Sequence, residues 1–277
     1  MPTNREAYFE ALKLNVPKSV IDFTLKEVNG FDYLELTKRF DEEVTDYESF
    51  KKAINRYING EMIEYVFNKT YFLSLPYYVD RSVLIPRQET EQLVLTSKKL
   101  IEEMFGDHNV RIADVCCGSG SIGLSLKKML PNSFLYLSDI SKEAIRVSKI
   151  NAESLNITDG VSFFEGDMLE PFMQGNVKLD AIVCNPPYIG DKVTIDKRTW
   201  EQEPHLALLA SPCTRYYEDL LSKAKMVLND RFLIAFEIGE DMECSMKELL
   251  KKYCSDCDFY FENDMYGKTR FLFIKHQ

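Results

Sequence analysis

The stretch Val110-Arg111-Ile112-Ala113-Asp114-Val115-Cys116-Cys117-Gly118-Ser119-Gly120 decides the fold. Its first seven residues, VRIADVC, read as a buried strand, and the small residues after them form a tight turn. Helical spacing takes over from Ser121 to Leu130. Strand, glycine turn and helix in that order open a βαβ unit. Such a turn lets backbone N–H groups approach a ligand closely, and the helix N-terminus favours an anionic group on that ligand. A tight connection with no ligand has the same pattern, so the turn needs support from elsewhere.

Downstream, strand-like and helix-like segments keep alternating. SFLYLSD, VSFFEG, LDAIVCN, RFLIAFEI, DFYFEN and RFLFIKH read as strands, with helices over Ser141–Leu155, Tyr216–Leu228 and Asp241–Tyr253. This alternation predicts a doubly wound α/β sheet with helices on both faces. Asn263–Lys268 is too short for a parallel crossover, so the last strand must run antiparallel or pair elsewhere. Upstream, Gln88–Phe105 is helical, and YFLSLPYYVDRSVLIP (71–86) is aromatic and β-branched. The latter reads as a β-hairpin or extended linker that turns at Asp80-Arg81 and ends at Pro86. Before it, apolar residues recur at helical spacing (Val20, Phe23, Leu25 and Val28; Phe50, Ala53, Ile54, Tyr57 and Ile58), with Asp46 placed to cap a helix from Tyr47. The expected domains are a helical domain at 1–68, a hairpin linker at 69–87 and an α/β domain at 88–277.

Composition narrows the class. Of 277 residues, 45% are hydrophobic, with 18 Phe and 15 Tyr, enough for a packed core. Lys and Arg number 34 against 44 Asp and Glu, a formal charge of −10. Proteins that clamp duplex nucleic acid take most of their affinity from phosphate contacts, so this balance points instead to a protein partner. No secretory signal and no ~20-residue apolar span is visible, so the expected compartment is the cytoplasm, with no membrane partner. Seven Cys show no disulfide framework. Cys254 and Cys257 form a lone CxxC without the second pair that zinc requires, and read as free thiols. His108, His205 and His276 are scattered, and no metal site is expected.

Three carboxylates follow successive strands, where open α/β sheets bind ligands. Asp114 precedes the glycine turn. Asp139 ends SFLYLSD and is placed to accept hydrogen bonds from both ribose hydroxyls of an adenosine; it or Ser141 would equally cap the next helix. Asp167 follows VSFFEG and is placed to bond an adenine amino group, with Met168 or Leu169 against the ring. After LDAIVC comes Asn185-Pro186-Pro187-Tyr188. Two consecutive prolines stiffen this loop and remove two donors. The Asn185 side-chain oxygen and the Pro186 carbonyl can then accept both protons of a planar NH2 group, with the Tyr188 ring packed over it. A planar amino nitrogen is a poor nucleophile, so positioning must supply most of the rate.

In these residues the chain resembles the HemK-type glutamine N5-methyltransferases of peptide chain release factors. The likeness runs through YYVDRSVLIPRQETE, DVCCGSGSIGLSL, DISKEAIRVSKINAE, GDML, AIVCNPPYI, WEQEPHLALL, AFEIG and YGKTRF. NPPY alone is shared with adenine-N6 methyltransferases; LIPRQETE upstream and EQEPHLALL downstream carry the distinction. The resemblance implies a Rossmann-like, seven-stranded class I methyltransferase sheet with an antiparallel last strand. It also implies a small all-α N-terminal domain that helps recognise the substrate. S-adenosylmethionine would be the cofactor, with contacts at Asp114, Cys116, Gly118, Gly120, Asp139, Ile140, Asp167, Met168 and Asn185. The loop Asn185, Pro186, Pro187 and Tyr188 would receive the glutamine of a release factor's GGQ motif, with Glu203 and Pro204 lining the same pocket. Arg87, Glu89 and Glu91 would stand at its entrance, or simply charge the start of their helix. The alternative substrates are a ribosomal-protein glutamine and the adenine N6 of DNA or RNA. Cys116 stands where the family usually has Gly, and Cys117 replaces a small polar residue. The paired glycines usual after the A-L segment and before AFEIG are missing. These departures leave Gly118 and Gly120 in place and bear on loop conformation and substrate fit.

Overall fold

The computed structural model describes residues 1–106, 109–190 and 195–277, which leaves His108 outside the described residues. Five helices come first: α1 (Asn4–Lys13), α2 (Lys18–Asn29), α3 (Tyr33–Lys38), α4 (Tyr47–Ile58) and α5 (Ile63–Phe67). A hairpin of β1 (Thr70–Phe72) and β2 (Leu75–Tyr77) leads to α6 (Gln88–Phe105). Then come β3 (Arg111–Val115), α7 (Ser121–Met129), β4 (Phe134–Asp139), α8 (Lys142–Ser154), β5 (Val161–Glu165), α9 (Glu170–Gln174) and β6 (Leu179–Cys184). The chain ends with α10 (Lys197–Gln202), α11 (Arg215–Val227), β7 (Leu228–Glu237), α12 (Glu243–Tyr253), β8 (Asp258–Asn263) and β9 (Thr269–His276).

Two compact units emerge: Met1–Lys69 with Asp196–Gln202, and Thr70–Ile195 with Glu203–Gln277. The first is helical. Val20, Leu25, Phe50, Ala53 and Ile54 are buried in its core, with Phe23, Val28 and Tyr57 packed against it, while Ile58 faces outward. Asp46 caps α4, its Oδ1 accepting from Ser49 N at 3.0 Å. The segment Asp196–Gln202 joins this unit because the Arg198 guanidinium sits 3.8 Å from the Tyr57 ring centre and donates to the Tyr57 carbonyl at 3.2 Å.

The second unit is built on a seven-stranded sheet in the order β5-β4-β3-β6-β7-β9-β8. β3 to β7 run parallel, while β9 pairs antiparallel with both β7 and β8. The short Asn263–Lys268 connection has the consequence expected of it. The order reverses between β3 and β6, and the carboxyl ends of strands flanking such a switch point form a ligand crevice.

The hairpin differs from expectation in two respects. Its turn is Leu73-Ser74, both left-handed (φ 48° and 62°), as a two-residue hairpin loop of the primed type demands. Asp80 and Arg81 do open a turn, closed by Val83 N to the Asp80 carbonyl at 3.1 Å, but β2 has already ended at Tyr77, well before Pro86. The hairpin is also no free linker, for it belongs to the sheet unit. Phe72 and Tyr77 are buried in that core, and the Tyr77 hydroxyl lies 2.7 Å from Ser125 Oγ on α7.

Candidate active site

The carboxyl ends of β3 to β6, together with residues 82–87 and 204–207, enclose a cavity of about 330 Å³. Its floor is the glycine turn. Cys116, Gly118 and Gly120 all have positive φ (60°, 52° and 78°). Cys116 adopts this conformation despite its Cβ; its thiol lines the cavity 3.7 Å from Met168 Sδ. At Gly118 nothing lies within 4 Å of where a Cβ would stand, so a ligand can approach the backbone there. Asn151, buried on α8, fixes the turn from behind, donating to the Ser119 carbonyl at 2.9 Å and pairing with both backbone groups of Tyr78.

Asp114 and Gly120 do not line the cavity. Asp114 is fully buried beneath the turn, where its Oδ2 accepts from Gly123 N at 2.8 Å. Burial pushes its carboxyl up to about 8, partly offset by the Gly123 amide. Gly123 is a site residue missed in the sequence, although it stands three residues after Gly120. A Cβ there would come within 2.9 Å of Asp114 Cβ, Asp114 Oδ2 and Leu137 Cδ2. Gly123→Ala should therefore cost about 2 kcal/mol and lower the melting temperature by roughly 4–8 °C. A variant that melts with the wild type would show that the helix can back away from β3 freely.

Asp139 closes β4 on the cavity wall. Its Oδ2 accepts from Gly118 N and its Oδ1 from Ser141 N, both at 2.9 Å. The helix cap is Ser141, whose hydroxyl accepts from Ala144 N at 3.2 Å, so Asp139 is not spent on capping. Burial raises its carboxyl pKa against the pull of those two amides. Ile140, Asp167 and Met168 line the same wall; Leu169 is buried in the core and does not.

Asn185 and Pro187 line the same cavity, and Pro186 between them is buried. Tyr188, expected to pack over the amide, is not among the residues that line the cavity. Its hydroxyl donates to Glu237 Oε1 at 3.0 Å, and burial beside that carboxylate raises its pKa. Glu237, the last residue of β7, is 3% exposed and also accepts from Thr90 Oγ1 at 2.6 Å. Thr90 lines the cavity and lies 3.5 Å from Asn185 Nδ2. Neither Thr90 nor Glu237 was singled out from the sequence. The available signal was a single acid inside the apolar run RFLIAFEI, since a charge buried in a strand needs a reason.

Arg87 and Pro204 line the cavity. Glu203 is buried behind them, paired with Arg87 Nη2 and accepting from Ile85 N at 3.2 Å. Glu203 thus holds the wall residue Arg87 in place from behind. Glu91 does not line the cavity; its Oε1 accepts from Leu73 N at 2.7 Å and braces the hairpin turn. Glu89 is half-buried and does not line the cavity. Arg215 and Tyr216, at the start of α11, do line it and were not anticipated. Among the described residues, no group of three His, Cys, Asp or Glu is placed to hold a metal ion, and all seven cysteines are unpaired. No described helix is long and apolar enough to cross a membrane.

The methyltransferase small domain family matches residues 90–202. The chain is 34% identical over 239 residues to a release factor glutamine methyltransferase of Bacillus cereus, covering 84% of each protein. The chain belongs to the release factor glutamine methyltransferase family. A second family member, from Clostridium acetobutylicum, is 34% identical over 254 residues, covering 90% of this chain and 85% of its own. Among solved structures, a methyltransferase from Pyrococcus furiosus superimposes with a TM-score of 0.52 at 14% identity, over 82% of this chain and 98% of that one. At that identity the likeness speaks for the fold alone, which is the class I methyltransferase sheet described above. The chain is a methyltransferase.

Proposed function

We propose that this chain methylates the side-chain amide nitrogen (N5) of the GGQ glutamine of a peptide chain release factor, using S-adenosylmethionine. The observation that carries the reading is that Asn185 and Pro187 face the same cavity as Asp139. A planar-NH2 site and a nucleoside site thus share one enclosure. The wall residues fit the cofactor: open space above Gly118, a carboxylate anchored by two backbone amides, and the apolar Ile140 and Met168 beside Asp167. Asp139 would hold the ribose hydroxyls, Asp167 the adenine amino group, and the turn at Cys116–Gly118 the methionine end. When bound, the cofactor supplies a methyl group on a positively charged sulfur.

The rest falls to the protein. The Asn185 oxygen and the Pro186 carbonyl accept the two amide protons and hold the nitrogen in line for attack. No side-chain base is required, because the amide nitrogen sheds its proton readily once alkylated. Tyr188, tied to Glu237, holds the loop rather than covering the amide. Residues 1–68 are the substrate-recognition part of this reading, with residues 69–87 leading into the catalytic domain at 88–277.

Purified protein incubated with methyl-labelled S-adenosylmethionine should label an intact release factor and not one whose GGQ glutamine is replaced. Label on a ribosomal protein glutamine instead would keep the chemistry and change the partner. Transfer to adenine in DNA or RNA would overturn the glutamine reading.

A further inference from the structure

We propose that Glu237, acting through Thr90, fixes which end of the Asn185 side-chain amide faces the cavity, making both positioning residues for methyl transfer. The inference rests on the reading of Asn185 as an acceptor for the substrate amide.

A threonine hydroxyl has one proton to give. That of Thr90 goes to Glu237 Oε2 at 2.6 Å, and the second carboxylate oxygen is occupied by the Tyr188 hydroxyl at 3.0 Å. An acceptor-only carboxylate receiving two hydroxyl donors returns no proton to either of them. Towards its remaining neighbour, Asn185, the Thr90 oxygen can therefore offer only lone pairs. The Asn185 NH2 group answers this, with Nδ2 3.5 Å from Thr90 Oγ1, at the outer edge of a hydrogen bond. Catalytic hydrogen bonds of this kind tighten when substrate seats. Turning the Asn185 amide over would set its oxygen against those lone pairs. Its Oδ1 is thus held away from Thr90 and accepts from no described residue.

The consequence is chemical polarity at the cavity. A bare asparagine can present either its oxygen or its NH2 group, and only the oxygen grips an incoming N–H. Glu237 is fully enclosed, with Tyr217 bonded to its backbone carbonyl at 2.8 Å and the Arg270 charge beside it. The buried acceptor at the end of β7 thereby specifies an acceptor at Asn185, two hydrogen bonds away.

Two measurements test this. In 15N-asparagine-labelled wild-type protein, the Asn185 side-chain amide protons should show a nuclear Overhauser contact with the Thr90 methyl group. Its absence, with those protons exchanging as fast as solvent-exposed amides, would overturn the proposal without any substrate or variant. In turnover, Thr90→Ser should keep kcat within about twofold, whereas Thr90→Val should lose about tenfold or more in kcat, with cofactor Kd unchanged. Equal loss in both variants, or a change confined to KM, would reduce Thr90 to packing. Because Thr90→Val also strips Glu237 of a donor, its melting temperature is measured alongside. Should the wild type fail to methylate a release factor, the functional reading falls, while the resonance result still decides the orientation of Asn185.

Discussion

An Asn185→Ala enzyme is expected to turn over about 10²–10³-fold more slowly than the wild type, with cofactor affinity within about threefold. The amide nitrogen of glutamine shares its lone pair with the carbonyl and attacks only when held in line. Of the two acceptors assigned to that grip, Asn185 is the one that mutation can delete, the other being the backbone carbonyl of Pro186. Alanine leaves both prolines and the Tyr188–Glu237 bond intact, so the loop should keep its course. The loss should therefore appear in kcat from single-turnover label transfer, while calorimetric titration of S-adenosylmethionine changes little. A variant that lost only substrate affinity at full kcat would show that Asn185 binds the glutamine without orienting it.

The parallel core of the sheet was legible because buried strands write themselves as apolar runs. IADV, LYLS and AIVC could hardly be anything else once helices of regular period separated them. The antiparallel ending was legible too, from a connection too short to cross over. The hairpin turn was not. Leu73-Ser74 carries none of the Gly or Asn residues that usually mark left-handed turns, and Asp80-Arg81 looked the better candidate. What holds Leu73 in place is Glu91, 18 positions away and itself expected at the cavity entrance. The hairpin turn was missed for a physical reason, a tertiary hydrogen bond that overrides a local preference.

The site divides the same way. Asp139, Asp167 and Asn185 were legible as cavity-lining residues because the fold rule places ligands at strand ends, and each ends or follows a strand. Whether Asp139 served the ligand or the helix stayed open in the sequence. In the structure Ser141 takes the cap with its own hydroxyl, and Asp139 lines the cavity. Thr90 carried no signal at all: one threonine in the first turn of α6 becomes part of the site only because β7 brings Glu237 beneath it. The bond that ties Tyr188 down was hidden for a related reason, since the partner for its hydroxyl comes from a strand 49 residues away. Residues whose role is to hold other residues are the ones that spacing along the chain does not expose.

Replacing Asp139 by alanine should weaken S-adenosylmethionine binding by about 10²-fold, corresponding to ~2.7 kcal/mol, with a comparable fall in activity at subsaturating cofactor. Two losses combine. The ribose hydroxyls would lose their acceptor, and the amides of Gly118 and Ser141 would lose the carboxylate that now aligns them at 2.9 Å each. Gly118 sits at φ 52° with open space on its cavity side, so its amide can turn once its anchor is gone, while Asn151 still holds the Ser119 carbonyl. Asp139→Asn separates the two contributions. An asparagine oxygen can still accept from one backbone amide, but its NH2 group faces the other amide and competes for the ribose. The amide variant should therefore fall between alanine and wild type in calorimetric Kd. If both variants bound the cofactor as tightly as the wild type, Asp139 would be an internal brace of the turn and the ribose would have to be held elsewhere on the cavity wall. Because Ser141 caps α8 with its own hydroxyl, the fold should survive either change, and the affinity measured would be that of an intact sheet.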